Sequence, residues 1–433
     1  MTLANSFRWR FPGPDVTIAN RALPGAVIDG SRSPRSGNIA IIPQASPEFA
    51  LVCACIARPL SPARISACGS ADTDWQCVTA IAKRHRIEGL VREGLSAAGL
   101  PVPPAIAQSA HQIMHTGLRQ AAEALRIQQQ LEKAGVPALF LKGSTLAVRA
   151  YGSIAVRSSM DIDMVVAPGD VPCAWQVLEE AGYVMTAPAR ALPAGVLRTY
   201  QTISKDSVHR NPANGVKIEL HWRLSDAAHE SALPPPREWR QVEINPTLTL
   251  STLSDPALFA YLSAHGAGHG WARLKWLADI GALLGNSEDG GSALWESARS
   301  SGAARPAASA IMLANTLLGT PLPPGFVPPR SVRLRLLNAL SLRVIAAGGG
   351  ARELSHTRWN SVVEPAAMLL TLSNWPDAWA QIRRIAIPAE DIVLLRLPPG
   401  FGFLYPLLRL PLWILKRTRW SPRVHVKLPQ RAA

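Results

Sequence analysis

Two aspartates lie two residues apart in the run Asp161-Ile162-Asp163-Met164-Val165-Val166. A short apolar run of this kind suits a buried strand, on which successive side chains point to opposite faces. Asp161 and Asp163 then share one face, and Ile162, Met164 and Val166 take the other. Two carboxylates this close repel each other unless a positive charge sits between them. A divalent cation is the natural partner, and hard oxygen ligands suit Mg²⁺ or Mn²⁺. A second segment, residues 216–222, alternates in the same way. Val216, Ile218, Leu220 and Trp222 line its apolar face, while Lys217, Glu219 and His221 point the other way. If this strand lies beside the first, Glu219 becomes a third carboxylate over the same cation site. Three carboxylates and two metals are the parts of in-line phosphoryl or nucleotidyl transfer.

Upstream, Gly143 and Ser144 stand where an apolar strand (residues 137–141) gives way to a helix (residues 144–151). Such a turn presents backbone N–H groups and a helix N-terminus to an anion. Glycine allows close approach to a phosphate, and the serine hydroxyl can donate to it. Lys142 and Arg157 are the candidates to hold the remaining charge of a triphosphate. Each piece alone has an ordinary explanation: Asp-x-Asp as a solvated strand end, Lys-Gly-Ser as a turn, Glu219 as an exposed strand residue. Order and facing together favour a built metal site.

Three further residues are accessory candidates. His221 shares a face with Glu219, where it can orient a carboxylate, touch a phosphate, or simply be a satisfied polar side chain. His269 and Arg273 can line the cleft, since basic groups there complement a triphosphate. Lys275 is placed with them, and Asp279 can anchor one of these bases. His265 and His269 are four apart, but the sequence lacks the Glu of a His-Glu-x-x-His zinc protease, and Gly266, Gly268 and Gly270 weaken a helix there. Helix packing is the ordinary reading of that pair.

The elements that must position these residues follow from periodicity. Residues 1–44 are rich in Pro, Gly, Ser and Arg and read as a disordered tail. Residues 45–134 read as an N-terminal helical region, its last helix running from Pro104 to about Ala134 with Gly135 as its cap. Residues 135–250 form the core that carries the chemistry: residues 161–166 are a strand, 168–181 a helix, and 201–209 with 216–222 a hairpin around Asn211-Pro212-Ala213-Asn214-Gly215. Residues 251–395 read as a C-terminal helical region, opened by Asp255-Pro256 as N-cap and N1. It carries the apolar stripe Leu274, Leu277, Ile280, Leu283 and Leu284. The fold class is α+β (mixed α/β), a small sheet with helices, flanked by N- and C-terminal helical regions.

Residues 396–433 are an apolar and basic segment. Its run Phe401 to Leu415 is shorter than the ~20 residues a membrane span needs and is broken by Pro406, Arg409 and Pro411. It reads as a segment docked on the helices or as a peripheral contact with a membrane surface. The net charge of +15 favours anionic partners, or reflects an Arg-rich proteome. The thirteen Trp residues are scattered and mark no specific nucleic-acid surface. The five cysteines fit no zinc spacing, and their odd number argues against a full disulfide framework. No apolar targeting stretch opens the chain. A cytoplasmic setting, with or without peripheral contact with the inner membrane, is expected.

Gly-Ser, a helix, Asp-x-Asp on a strand and a carboxylate on a later strand resemble the DNA polymerase β-like nucleotidyltransferase superfamily. The longer string LKGSTLAVRAYGSIAVRSSMDIDMVV (141–166), with IELHW (218–222) and HGAGHGWARLKWLADIGALL (265–284), is similar to the bacterial uncharacterised nucleotidyltransferase family. So are SPEFALVCACIAR (46–58) and DWQCVTAIAKRHRIEGL (74–90), so the likeness covers about residues 46–417. The resemblance implies a small mixed sheet backed by helices, a nucleoside triphosphate donor such as ATP, and Mg²⁺. It places phosphate binding on Gly143 and Ser144, the metal carboxylates on Asp161 and Asp163, and the third acidic position on Glu219. Asp161 lies seventeen positions after Ser144, a longer connector than the superfamily's usual one. The acceptor, a hydroxyl or a phosphate, is not fixed by the resemblance. Relatives occur near genes for polysaccharide and peptide natural products. A non-catalytic protein of this fold, docking on a biosynthetic complex or membrane surface, is the second reading.

Overall fold

In the computed structural model, residues 46–188, 204–224, 238–353 and 362–372 are described, with a few isolated positions in 197–201 and 395–411. The tail 1–44 and nearly all of the apolar and basic segment 396–433 lie outside the described residues. No helix among the described residues is long and apolar enough to cross a membrane.

Five helices lead into the sheet: α1 (Pro47–Ile56), α2 (Pro62–Cys68), α3 (Trp75–His85), α4 (Glu88–Ala97) and α5 (Pro104–Lys133). The starts follow local chemistry. Ser46 caps α1 by accepting from the Phe49 N–H, and Asp74 caps α3 by accepting from the N–H groups of Gln76 and Cys77. The sheet follows, with strands β1 (Leu139–Phe140), β2 (Ile162–Val165), β3 (Val184–Ala187), β4 (Asp206–Arg210) and β5 (Lys217–His221) in the order β1-β2-β5-β4-β3. Helix α6 (Ser144–Tyr151) joins β1 to β2, and α7 (Val171–Glu180) joins β2 to β3. Strands β2 and β5 are parallel, and the other pairs are antiparallel.

The hairpin expected around Asn211–Gly215 forms: Asn211 N–H donates to the Val216 carbonyl, and the Asn211 and Asn214 side chains accept from Ala213 and Val216 N–H. A second, two-stranded sheet of β6 (Trp239–Asn245) and β7 (Leu248–Leu253) was not anticipated by periodicity. It leans on the first sheet through Thr252, whose hydroxyl donates 2.6 Å to the Phe140 carbonyl. The C-terminal helices are α8 (Asp255–Gly268), α9 (Leu274–Gly285), α10 (Ser292–Ser300), α11 (Ala304–Leu318), α12 (Val332–Ile345) and α13 (Glu364–Thr371). Ser254, not Asp255, takes the N-cap position of α8.

Among the described residues two large hydrophobic cores form, beside a small cluster of Ala272, Val344 and Val363. Helices α1, α3 and α4 share one with α8, α9 and α11, so the two ends of the described chain pack together. The second lies on the apolar face of the sheet, where Ile162, Met164, Ile218 and Leu220 meet α7 and the second half of α5. Helix α5 reaches both, with Ile106 in the first core and Ile127 and Leu131 in the second. Each fully buried Leu or Ile contributes about 1.5–3 kcal/mol. The opposite face of β2 and β5 carries Asp163, Glu219 and His221, with Val165 at its far end packed into the first core.

Gly266 shows why a glycine-rich stretch still forms a helix here. The indole of Trp271 folds back over α8, and a Cβ on residue 266 would lie 2.2 Å from it. Trp271 is fully buried, and its Nε1 donates to Ser309. The helical cost of the glycine is offset by burial of a large aromatic.

Candidate active site

Parallel pairing of β2 with β5 sets Ile162 opposite Ile218 and Asp163 opposite Glu219. One more step back along both strands aligns Asp161 with Lys217, and His221 lies opposite Val165. One face thus carries Asp161 and Asp163 beside Lys217, Glu219 and His221. Asp161 itself is not in the strand; the chain bends there, and the Ser159 hydroxyl donates 2.9 Å to the Asp161 carbonyl. The strand expected over 161–166 is thereby shortened to Ile162–Val165.

Asp163, Glu219 and His221 offer three ligand atoms within 4.8 Å of one another. Asp163 is 6% exposed and His221 4%. The His221 Nε2 lies 3.5 Å from Asp163 Oδ1 and 3.9 Å from Glu219 Oε2, yet it is buried without a hydrogen-bond partner. A buried polar atom without a partner costs about 1–3 kcal/mol. An imidazole nitrogen between two carboxylates is the place where a divalent cation fits. The other ring nitrogen, Nδ1, faces Asp206 Oδ2 at 3.8 Å. A metal-binding imidazole commonly turns its second nitrogen to a carboxylate in this way.

Two ammonium groups meet the carboxylates. Lys142 Nζ lies 3.2 Å from Asp163 Oδ1, and its charge sits over the Tyr261 ring at 5.4 Å. Lys217 Nζ bridges Asp161 Oδ2 at 3.1 Å and Glu219 Oε1 at 2.5 Å. Burial raises the Asp163 carboxyl, but the Lys142 charge and the His221 ring outweigh it and hold the group well below its ordinary value. Glu219 goes the other way: burial, then the Asp161 charge, push it up, and Lys217 only partly offsets this.

Gly143 opens α6 with φ 63° and ψ −127°, a conformation that only glycine adopts without strain. No side chain caps α6, so the first-turn N–H groups of this helix point out beyond Lys142. Thr145 fastens the turn, its hydroxyl within hydrogen-bond distance of the carbonyls of Phe140 and Lys142. The expected phosphate cradle of Gly143 and Ser144 thus lies one residue past the lysine that contacts Asp163.

The remaining candidates lie apart from the carboxylates. Arg157 is bidentate on Asp279, with both contacts at 2.9 Å and both side chains buried, and the Tyr151 hydroxyl donates to the same carboxylate. Its charge is consumed there and serves to fasten the connector between α6 and β2. His269 Nδ1 pairs with Glu364 at 2.8 Å, and its ring stacks on Trp276. Arg273 binds Glu353 and the Arg84 carbonyl. Lys275 donates to the Ser158 carbonyl at 3.3 Å. Asp279 does anchor a base, but that base is Arg157.

Asp206 and the bridging ammonium of Lys217 join the site beyond the residues that alternation pointed to. Asp206 opens a strand whose register against His221 no local pattern shows. Lys217 was visible as a cation on the acidic face of its strand.

A family model described as an uncharacterised nucleotidyltransferase matches residues 71–319, more than half of the chain. The chain belongs to the uncharacterised nucleotidyltransferase family. The matched span runs from just before α3 to the end of α11 and takes in every strand of both sheets. The protein is accordingly a nucleotidyltransferase, a mixed α+β enzyme, with a cluster of Asp163, Glu219 and His221 suited to a metal ion. No curated protein matches the chain.

Proposed function

We propose that the enzyme transfers a nucleotidyl group from a nucleoside triphosphate to a hydroxyl or phosphate acceptor, the new bond to the α-phosphorus forming as the α–β phosphoanhydride breaks and pyrophosphate leaves, with a divalent cation held by Asp163, Glu219 and His221. The observation that carries this is the buried, unpartnered Nε2 of His221 between two carboxylates on register-paired strands. When bound, the cation neutralises charge on the phosphate oxygens and favours the ionised acceptor. The chain's own residues supply the rest. The N-terminal amides of α6 beyond Gly143 receive phosphate oxygens, with Ser144 donating its hydroxyl. Lys142 balances charge at the junction of triphosphate and carboxylates. Glu219, at the edge of the site, helps take the acceptor proton.

The donor set bears on the metal. Two carboxylates alone suit Mg²⁺, whereas an imidazole is a softer donor. Mn²⁺ accepts both, so it is expected to support transfer at lower concentration than Mg²⁺. The direct test is transfer of label from α-³²P nucleoside triphosphates to small hydroxyl and phosphate acceptors, in Mg²⁺ and in Mn²⁺. Labelled product that disappears in the Asp163→Asn variant supports the reading. No transfer from any nucleoside triphosphate, with no cation-dependent nucleotide binding, overturns it.

A further inference from the structure

The acidic face of β2 and β5 offers two positions between carboxylates. One lies among Asp163, Glu219 and His221, and the other lies between Asp161 and Glu219. The two are not alike. The first is lined by a buried imidazole nitrogen that has no hydrogen-bond partner. The second is already bridged by the ammonium of Lys217, which contacts both carboxylates. We propose that Lys217 takes the place of a second cation, so that the enzyme holds a single divalent ion, on Asp163, Glu219 and His221. This rests on the nucleotidyltransferase reading of the site.

Strand geometry gives Lys217 this position by register rather than by chance of rotamer. Lys217 is two residues before Glu219 on β5 and so shares its face, and it precedes the first register pair, Ile162 with Ile218, by one residue, as Asp161 does. The stem crosses to the neighbouring strand, and the ammonium lands at 3.1 Å from one carboxylate and 2.5 Å from the other. Asp161, at a bend just outside the strand, is 22% exposed, whereas Asp163 is buried.

Charge balance points the same way. Asp161, Asp163, Glu219 and, behind the His221 ring, Asp206 face the two ammonium groups of Lys142 and Lys217, which leaves two net negative charges. One divalent ion neutralises them. Two divalent ions beside two ammonium groups would crowd like charges within a few ångströms of one another. A lysine ammonium, with three donors and a compact charge, satisfies two carboxylates without the strict geometry a metal demands.

The test counts ions and does not depend on turnover. The full chain, without nucleotide, is titrated with Mn²⁺, and free Mn²⁺ is read by electron paramagnetic resonance. One bound Mn²⁺ per chain is expected, with nitrogen coupling in the pulsed spectrum that disappears in His221→Ala. Lys217→Met keeps the aliphatic stem and removes the charge; it is expected to bind two Mn²⁺. Lys217→Arg keeps the charge and is expected to bind one, and melting curves of all variants establish that they fold. Two Mn²⁺ on the wild type, or one on a folded Lys217→Met, overturns the proposal. Two ions with label transfer intact would sink only this proposal. No bound ion together with no label transfer would sink the nucleotidyltransferase reading itself.

Discussion

Asp163 and Glu219 are register partners across two parallel strands, and their carboxylates share one site with the ring of His221. Parallel neighbours cannot be joined by a tight turn, so the chain must leave the sheet and return before the pair can form. Here it returns by way of α7, β3 and β4. The site therefore exists only in the folded sheet.

Asp206 faces Nδ1 of His221 at 3.8 Å from the register-paired position on β4. In the proposed site it favours the ring orientation that turns Nε2 to the cation. Asp206→Asn is expected to weaken Mn²⁺ binding about 10–100-fold with little change in melting temperature. Isothermal titration calorimetry reads this directly, and an unchanged affinity would show that the ring is held by other contacts.

Arg157 and Asp279 form a buried, bidentate ion pair. Asp279→Ala leaves the guanidinium buried without its counter-charge, and about 3–5 kcal/mol of unfolding free energy should be lost in urea titration. The double variant Arg157→Met with Asp279→Leu should recover much of that stability. Its label transfer should stay low, because the connector between α6 and β2 loses its anchor. A double variant no more stable than Asp279→Ala alone would contradict the ion-pair account.

At Gly143 the space is open but the backbone is not. An added Cβ would lie 3.9 Å from Ser159 Oγ, an ordinary contact, while φ 63° and ψ −127° are strained for alanine. Gly143→Ala is expected to cost about 1–3 kcal/mol or to shift the turn. In either case KM for the nucleoside triphosphate should rise while Mn²⁺ affinity holds. Loss of Mn²⁺ binding in this variant would mean that the turn and the carboxylates are not separable.

His85 is fully buried, its Nδ1 accepting from the Leu274 N–H while the Arg84 guanidinium sits beside the ring. Burial first, then the Arg84 charge, push its pKa well below 6.5. Below about pH 6.5 the unfolded chain takes up a proton that the folded one refuses, so stability should fall as the medium is acidified. Melting curves from pH 7.5 to 5 should show this fall. His85→Gln, whose amide oxygen can accept from Leu274, should reduce the slope, with buried His209 and His265 supplying the remainder; an identical slope in the variant would assign the acid sensitivity to those two.

The acidic pair, its facing, and the third carboxylate were all legible in the residues, because strand alternation is a local rule. The Gly-Ser turn and helix α6 were legible too, with bounds that match Ser144–Tyr151. The hairpin β6–β7 was not, since its burial comes from α5 and β1, which lie far away in the chain. Arg157 read as a phosphate ligand because its partner, Asp279, lies on a helix that only packing brings near. His269 and Arg273 read as cleft residues for the same reason, and their acidic partners Glu364 and Glu353 lie far along the chain.

What the residues alone determined is which groups share a face and which carry charge, because period and side-chain chemistry are properties of a few consecutive positions. What only the tertiary structure decided is which charges meet. Strand register set Glu219 beside Asp163, turned His221 into the cluster and placed Lys217 between Asp161 and Glu219. Helix packing drew Arg157 away to Asp279. Coulomb energy depends on separation in space and on burial, and neither is written in the spacing of residues along a chain.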